Sequence, residues 1–163
     1  MGGVRGTIIL ATALWAAAEV VRLVRPHAIE PARQLWTAAL ILAVLHAALA
    51  FASVYGWSHH TAMLATARQT ASVTGLEWGG GLFVNYLFLA AWTLDTLWWW
   101  RAPAARLARS PRLEQLRLAC FVFMFINGAI VFAAGIARAA GIMAVTAVCA
   151  AWSVHGRRTL RHV

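Results

Sequence analysis

The sequence predicts an all-α integral membrane protein, a bundle of five transmembrane helices with a short interfacial helix in the second connection. Hydrophobic residues make up 62% of the 163 positions and charged residues only 12%, and the mean hydropathy is +0.71. Soluble domains carry about 25% charged residues. Five apolar runs are separated by short connections that hold most of the arginines. A water-soluble fold is excluded, and the spans leave no room for a separate soluble catalytic domain.

Four of the apolar runs have the length that a membrane-spanning helix requires, about 20 residues. They cover 7–24, 35–55, 82–100 and 118–136. The fifth run, 139–154, has only 16 residues, which corresponds to roughly 24 Å of helix against a hydrocarbon core about 30 Å thick. The alternative prediction is therefore four spans followed by a short fifth helix that is re-entrant or lies at the interface.

The arginines predict the orientation of the bundle. All 14 basic residues are arginine, and the formal charge is +9. Eleven of the 14 fall in the first and third connections and after the fifth run, which share one side of a five-span chain. Because cytoplasmic loops collect basic residues, we expect the amino terminus outside and the carboxyl terminus in the cytoplasm. Arginine without lysine suggests a GC-rich genome, and therefore a bacterial inner membrane.

The second connection predicts a short helix over about 58–74. Ser58 is a good N-cap residue, and Gly75 is a good residue for the turn that ends a helix. One side of the segment is mildly apolar and the other carries Arg68 and threonines, so we expect the helix to lie along the outer membrane surface. The three glycines at 79–81 form either a flexible or a close-packed entry to the third span.

Polar side chains inside the apolar spans are candidates for function, because burying them in a bilayer is costly. Counted from the outer ends, two acidic residues lie roughly 18–20 Å deep and a His/Asn pair roughly 12–14 Å deep. Such layers suit a proton path or a quinone headgroup, and we expect both acidic residues to face the bundle interior. The structural alternative is that Glu19 pairs with Arg22 one turn later and that asparagines join helices. The buried polar candidates are Glu19, His46, Asn85, Asp95 and Asn127.

Three residues on the outer side are candidate metal ligands: His59, His60 and Glu77. Neighbouring histidines on a helix diverge by about 100°, so we expect at most one of them to share an ion with Glu77. A haem held by two membrane histidines is disfavoured, because no second histidine lies at the depth of His46. The sequence requires no cofactor, and catalytic residues stay unassigned.

Both cysteines, Cys120 and Cys149, lie inside apolar runs and not at a metal-ligand or redox spacing. This placement favours small, buried core residues over a thiol site or a disulfide.

The sequence favours a noncatalytic accessory or structural subunit, whose partners are the lipid bilayer and other membrane proteins. The few polar groups do not converge on one centre, and the chain contains no G-x-S-x-G, H-E-x-x-H or phosphate-loop motif. One alternative is a redox or proton-handling component, linked to a quinone or a metal, that uses His46, Asp95 and Glu19. Another is a small transporter or channel that uses the same groups. The arginines flank membrane spans, so no nucleic-acid partner is expected.

Overall fold

The structure of the protein, a computed structural model, describes the backbone of residues 2–160 and the side chains of residues 2–155. Over these residues the all-α prediction is confirmed, and no β-strand is present in them. The elements in chain order are α1 (Gly2–Val24), α2 (Ile29–Ser53), α3 (His59–Thr74), α4 (Gly81–Arg101), α5 (Pro103–Leu107), α6 (Pro111–Ile126), a π-helical segment (Asn127–Val131) and α7 (Ile136–Leu160).

Within the described residues, four helical segments are long and apolar enough to cross a membrane: α1, α2, α6 with its π-helical extension, and α7 as far as His155. Helix α4 has 21 residues and coincides with the third predicted span, but it is not among these four. It contains Asn85, Asp95 and four tryptophans, which lower its hydropathy. The fifth predicted run, in contrast, is among the four.

Most of the long helices extend beyond the apolar runs that predicted them, and the last two show this most clearly. Helix α6 begins at Pro111 and not at 118, because Ser110 caps its amino end and the charged residues that follow are helical. Helix α7 has 25 residues in place of the expected 16, since the helix continues past both ends of the apolar run. Between them, Gly135 adopts a φ of +59°, and Arg138 Nε donates a 2.9 Å hydrogen bond to the Ala133 carbonyl.

Helices α1 and α2 form an antiparallel pair. Their buried contact faces are rich in alanine, which lets the two backbones approach closely. Near the end of α2, His46 Nδ1 lies 2.9 Å from the Val4 carbonyl oxygen in the first turn of α1, and it must be the donor of this hydrogen bond. This contact places the start of α1 beside the last third of α2.

Aromatic side chains fill the core between these two helices and α4 and α6. Trp15 of α1 stacks on Phe125 of α6, with ring centroids 4.1 Å apart. Trp36 of α2 and Trp92 of α4 both contact Phe121 of α6, at 4.8 and 5.2 Å. Aromatic pairs of this kind add about 0.5–1.5 kcal/mol each beyond the area that they bury.

The π-helical segment packs against α7. A Cβ added at Gly141 of α7 would overlap the carbonyl oxygen of Ala129, so only glycine permits this approach of the two backbones. Glycine at such a contact is typical of helix pairs in membrane proteins.

The second connection forms the predicted helix. In α3 the Ser58 side chain accepts a hydrogen bond from the Thr61 amide at 3.2 Å, and Gly75 closes the helix in the left-handed conformation at φ +78°. Both predicted caps are therefore confirmed. The glycine run that follows is close-packed, because a Cβ at Gly79 would lie 2.7 Å from the Met63 side chain.

Candidate functional site

One end of the bundle carries a cluster of buried charges, which we name the arginine–carboxylate network. The central residue of the network is Glu19 of α1, which is only 1% exposed. Arg117 of α6 places Nη1 2.6 Å from Oε1 of this carboxylate, and Arg22 places Nη2 2.8 Å from Oε2. Among the described residues the network comprises Glu19, Arg22, Asp95, Arg106, Arg109, Glu114 and Arg117.

The second carboxylate, Asp95 of α4, is held by two arginines from the third connection. Arg106 Nη2 lies 2.9 Å from Oδ2, and Arg109 Nη2 lies 2.5 Å from Oδ1. Helix α5, which starts with Pro103 in its first turn, folds back so that Arg106 reaches the last turns of α4. The connection that the sequence presents as a basic loop therefore closes over the end of α4.

Glu114 of α6 joins the two halves of the network. Its Oε1 lies 2.8 Å from Arg22 and 2.7 Å from Arg117, while Oε2 lies 3.5 Å from Arg109. Each carboxylate thus has at least two guanidinium partners, and the network holds α1, α4, α5 and α6 together at one end of the bundle. With four arginines and three carboxylates, it carries an excess of one positive charge.

Tryptophan rings cover the guanidinium groups. Arg106 lies 3.7 Å from the centre of the Trp99 ring, and Arg109 lies 4.6 Å from that of Trp98. Burial lowers the pKa of Arg106 from its ordinary value, although an arginine in a protein stays protonated. A delocalised guanidinium suits this environment, because it pairs with a carboxylate through its edge and with an aromatic ring through its face.

The two acidic residues predicted to form a layer lie in the same network, but they do not contact each other. Glu19 and Asp95 both face the bundle interior, as expected, with side chains 0% and 10% exposed. Each carboxylate binds its own pair of arginines. Glu114 links the two pairs, because it contacts arginines that bind Glu19 and one that binds Asp95. The predicted pair of Glu19 with Arg22 is confirmed at 2.8 Å.

The predicted His/Asn layer does not form one site. His46 is half-buried and bonds to the Val4 carbonyl, near the opposite end of the bundle from the network. Asn127 Nδ2 donates a 2.8 Å hydrogen bond to the Phe123 carbonyl one turn earlier in its own helix. Each of the two polar groups thus bonds to a different backbone carbonyl, and Asn127 does so within its own helix, so it does not join two helices as the structural alternative expected.

Asn85 is exposed and not buried, contrary to the sequence prediction, although it lies two helical turns before Trp92 and therefore on the packed side of α4. Helix α4 packs through Trp92, Thr96 and Trp99, and its other side is exposed. On that side Leu87 is 71% exposed. We use the name open face of α4 for the exposed residues of this side, Phe83, Val84, Tyr86, Leu87, Ala90, Ala91, Leu94 and Leu97.

The predicted metal ligands lie at the opposite end of the bundle. His59 Nδ1 is 3.2 Å from the Tyr86 hydroxyl, and the His59 ring also contacts Phe83. The described part of the chain contains no group of three or more His, Cys, Asp or Glu side chains that could hold a metal ion, so His60 and Glu77 do not complete such a group.

Both cysteines are free and exposed, so the interpretation of Cys120 and Cys149 as core residues was wrong. The reason is that an apolar run in a membrane helix has two apolar sides, and only one of them packs inside the protein.

Four residues of the network were not predicted as parts of a site: Arg106, Arg109, Glu114 and Arg117. The spacing of Glu114 and Arg117, three residues apart on a helix, was a usable signal. The contacts of Arg106 and Arg109 with Asp95 depend on the fold of the connection, for which the sequence offers no pattern.

Comparison of the chain with protein-family models, curated proteins and solved structures finds no match.

Proposed function

We propose that this protein is a noncatalytic subunit of a larger membrane protein assembly, and that it binds its partner through the exposed part of α4, which comprises the open face and Asn85. The observation that carries the proposal is the exposure of α4 on two opposite sides: Leu87 of the open face is 71% exposed, and Asn85, on the other side of the helix, is exposed as well. An amide that faces acyl chains has no hydrogen-bond partner, whereas an amide in a helix–helix contact can bond across it.

The proposal includes five membrane crossings, with α4 among them. At 1.5 Å per residue, its 21 residues correspond to roughly 30 Å, the thickness of the hydrocarbon core. Its two ends also lie beside opposite ends of α2. Tyr86 contacts Phe51 near the end of α2, while Trp100 Nε1 donates a 3.0 Å hydrogen bond to Thr37 near its start. These contacts support a helix that runs the full length of the bundle.

The inferred location is a bacterial inner membrane, with the network at the cytoplasmic end and the amino terminus outside. Most of the arginines cluster at the network end, as the positive-inside rule requires of a cytoplasmic side. The capped helix α3 then lies on the outer side, along the membrane surface.

The network supports a structural role over a proton-handling one. A proton relay requires carboxylates that exchange protons with a neighbouring group. In this protein Glu19, Asp95 and Glu114 are each engaged by two or more guanidinium groups. Such groups fasten helix ends to one another and give the bundle a fixed shape on which α4 is presented.

Site-specific photo-crosslinking in native membranes tests the proposal. A photoreactive residue at Leu87 or Leu94, on the open face of α4, should crosslink to one defined membrane protein. The control positions are Leu116 of α6 and Met143 of α7, which are similarly exposed, at 66% and 68%, but lie on other helices. They should yield lipid adducts.

Substitution of Asn85 tests the role of the amide. Asn85→Leu should reduce recovery of the partner in gentle detergent about fivefold, since polar contacts between membrane helices contribute about 1 kcal/mol. The matched control is Thr93→Val on the same helix, because the Thr93 hydroxyl already bonds to the Leu89 carbonyl. A lone protomer with enzymatic turnover of its own would overturn the proposal. A crosslink to a second copy of this chain would show that the partner is the protein itself, in a homodimer.

A further inference from the structure

A cavity of about 190 Å³ opens beside the arginine–carboxylate network. Three of its lining residues are the network arginines Arg22, Arg106 and Arg109, and Glu114 and His155 also line it. The cavity has room for several water molecules or for one small anionic group. It lies between the end of α1, helix α5, the start of α6 and the last turns of α7.

The charges that line this cavity favour an anion. Three guanidinium groups and one carboxylate line it, and the network as a whole, in which Glu19 and Asp95 also pair with these arginines, has one positive charge in excess. Arg109 Nε is buried and has no hydrogen-bond partner among the described residues. A buried donor without a partner costs free energy, which a bound acceptor would recover.

The position of the cavity favours a phosphate group. The exposed Trp98 and Trp100 lie at the same end of the bundle, and tryptophans of membrane proteins gather at the level of the lipid headgroups. The guanidinium fork matches the oxygens of a phosphate, and basic pockets between membrane helices bind anionic headgroups. Leu107, which is 48% exposed, adds an apolar side to the opening.

We propose that this cavity is a binding site for a phosphate-bearing anion, and that an anionic phospholipid headgroup supplies the phosphate. The cavity residues are separate from the open face of α4, so this inference does not rest on the proposed partner. Free inorganic phosphate offers the same chemistry, and the experiment distinguishes the two sources.

The experiment titrates the delipidated protein in detergent with phosphatidylglycerol, with phosphatidylcholine of the same acyl chains and with inorganic phosphate, and records binding by native mass spectrometry. Phosphatidylglycerol should bind at least about tenfold more tightly than phosphatidylcholine. If inorganic phosphate competes at millimolar concentration and phosphatidylglycerol has no advantage over it, the site takes free phosphate.

Leu107→Glu tests the cavity without removing any arginine or carboxylate of the network. The added negative charge should weaken phosphatidylglycerol binding about tenfold. The matched control is Leu113→Glu, at a position that is 46% exposed and does not line the cavity, and its affinity should stay within about twofold of the original. Thermal unfolding without lipid should be the same for both variants.

Leu107→Arg is a second variant that tests the cavity with the opposite charge, and it can be used if Leu107→Glu fails to fold. The added positive charge should strengthen phosphatidylglycerol binding about fivefold. Equal affinities of the Leu107 and Leu113 variants, or no preference for the anionic lipid or phosphate over phosphatidylcholine, would overturn the proposal.

Discussion

At the scale of single residues, the properties of the guanidinium group explain how this chain buries the four arginines and three carboxylates of the network. Arg117 lies between Glu19 and Glu114 and 5.0 Å from the centre of the Trp36 ring. A lysine ammonium could not form both the planar paired contacts and the ring contact. The sequence predicted the pair of Glu19 with Arg22, because their spacing on a helix fixes the distance. It could not predict Arg117, whose approach depends on the packing of two helices.

The burial of Glu19 leads to the first prediction. Glu19→Gln leaves Arg22 and Arg117 without their shared counter-charge, so we expect the free energy of unfolding to fall by about 3–5 kcal/mol. Thermal or denaturant unfolding in detergent measures the effect. The control is Glu30→Gln, since Glu30 pairs with Arg33 at the surface with a side chain 64% exposed, and it should cost at most about 1 kcal/mol. Equal losses for the two variants would mean that burial does not strengthen the network.

At the scale of the elements, hydropathy located α1, α2, α4, α6 and α7, but all of these except α4 begin three to seven residues before the apolar run that predicted them. Hydropathy did not locate the start of α6, because Arg112, Glu114 and Arg117 precede the apolar run. All three residue types are compatible with a helix. In contrast, the limits of α3 were predicted to within one residue, since Ser58 and Gly75 are capping residues with a local physical cause. Capping residues thus predicted the limits of α3, whereas hydropathy did not predict the start of α6.

The close approach of α7 to the π-helical segment leads to the second prediction. Gly141→Ala should destabilise the protein by about 1–3 kcal/mol, because the added methyl group overlaps the Ala129 carbonyl oxygen. The matched control is Gly128→Ala in the π-helical segment, where an added Cβ meets no described atom within 4 Å. That change should leave stability unchanged or raise it by up to about 1 kcal/mol. The stability of both variants is measured by unfolding in detergent. Equal stabilities of Gly141→Ala and Gly128→Ala would contradict this packing.

At the scale of the whole molecule, composition alone predicted a helical protein of membrane-spanning character, because the bilayer constrains both helix length and charge. The candidate site was predicted only in part. Glu19 and Asp95 were identified as interior carboxylates, but the way in which the third connection folds over them was not. The open face of α4 was not predicted either, since a helix that is apolar all round gives no sign of which side packs.

The proposed topology leads to the third prediction, which concerns the carboxyl terminus. Alkaline phosphatase fused after Val163, an enzyme active only outside the cytoplasm, should stay inactive, because five crossings and the basic tail place this end inside. A green fluorescent protein fused at the same position should fluoresce and serves as the positive control for expression. Phosphatase activity from the fusion would contradict the five-span topology.

The network also has a consequence for how the chain is made. Glu19 and Arg117 are 98 residues apart in sequence. At a synthesis rate of about 5–20 residues per second, the ribosome needs roughly 5 to 20 s to reach Arg117 after Glu19. Of the two arginines that pair with Glu19 in the folded protein, Arg22 is made within the same helical turn and Arg117 is made last. In the proposed five-span topology, α1 therefore enters the membrane with a local partner for Glu19, and the second partner arrives with α6.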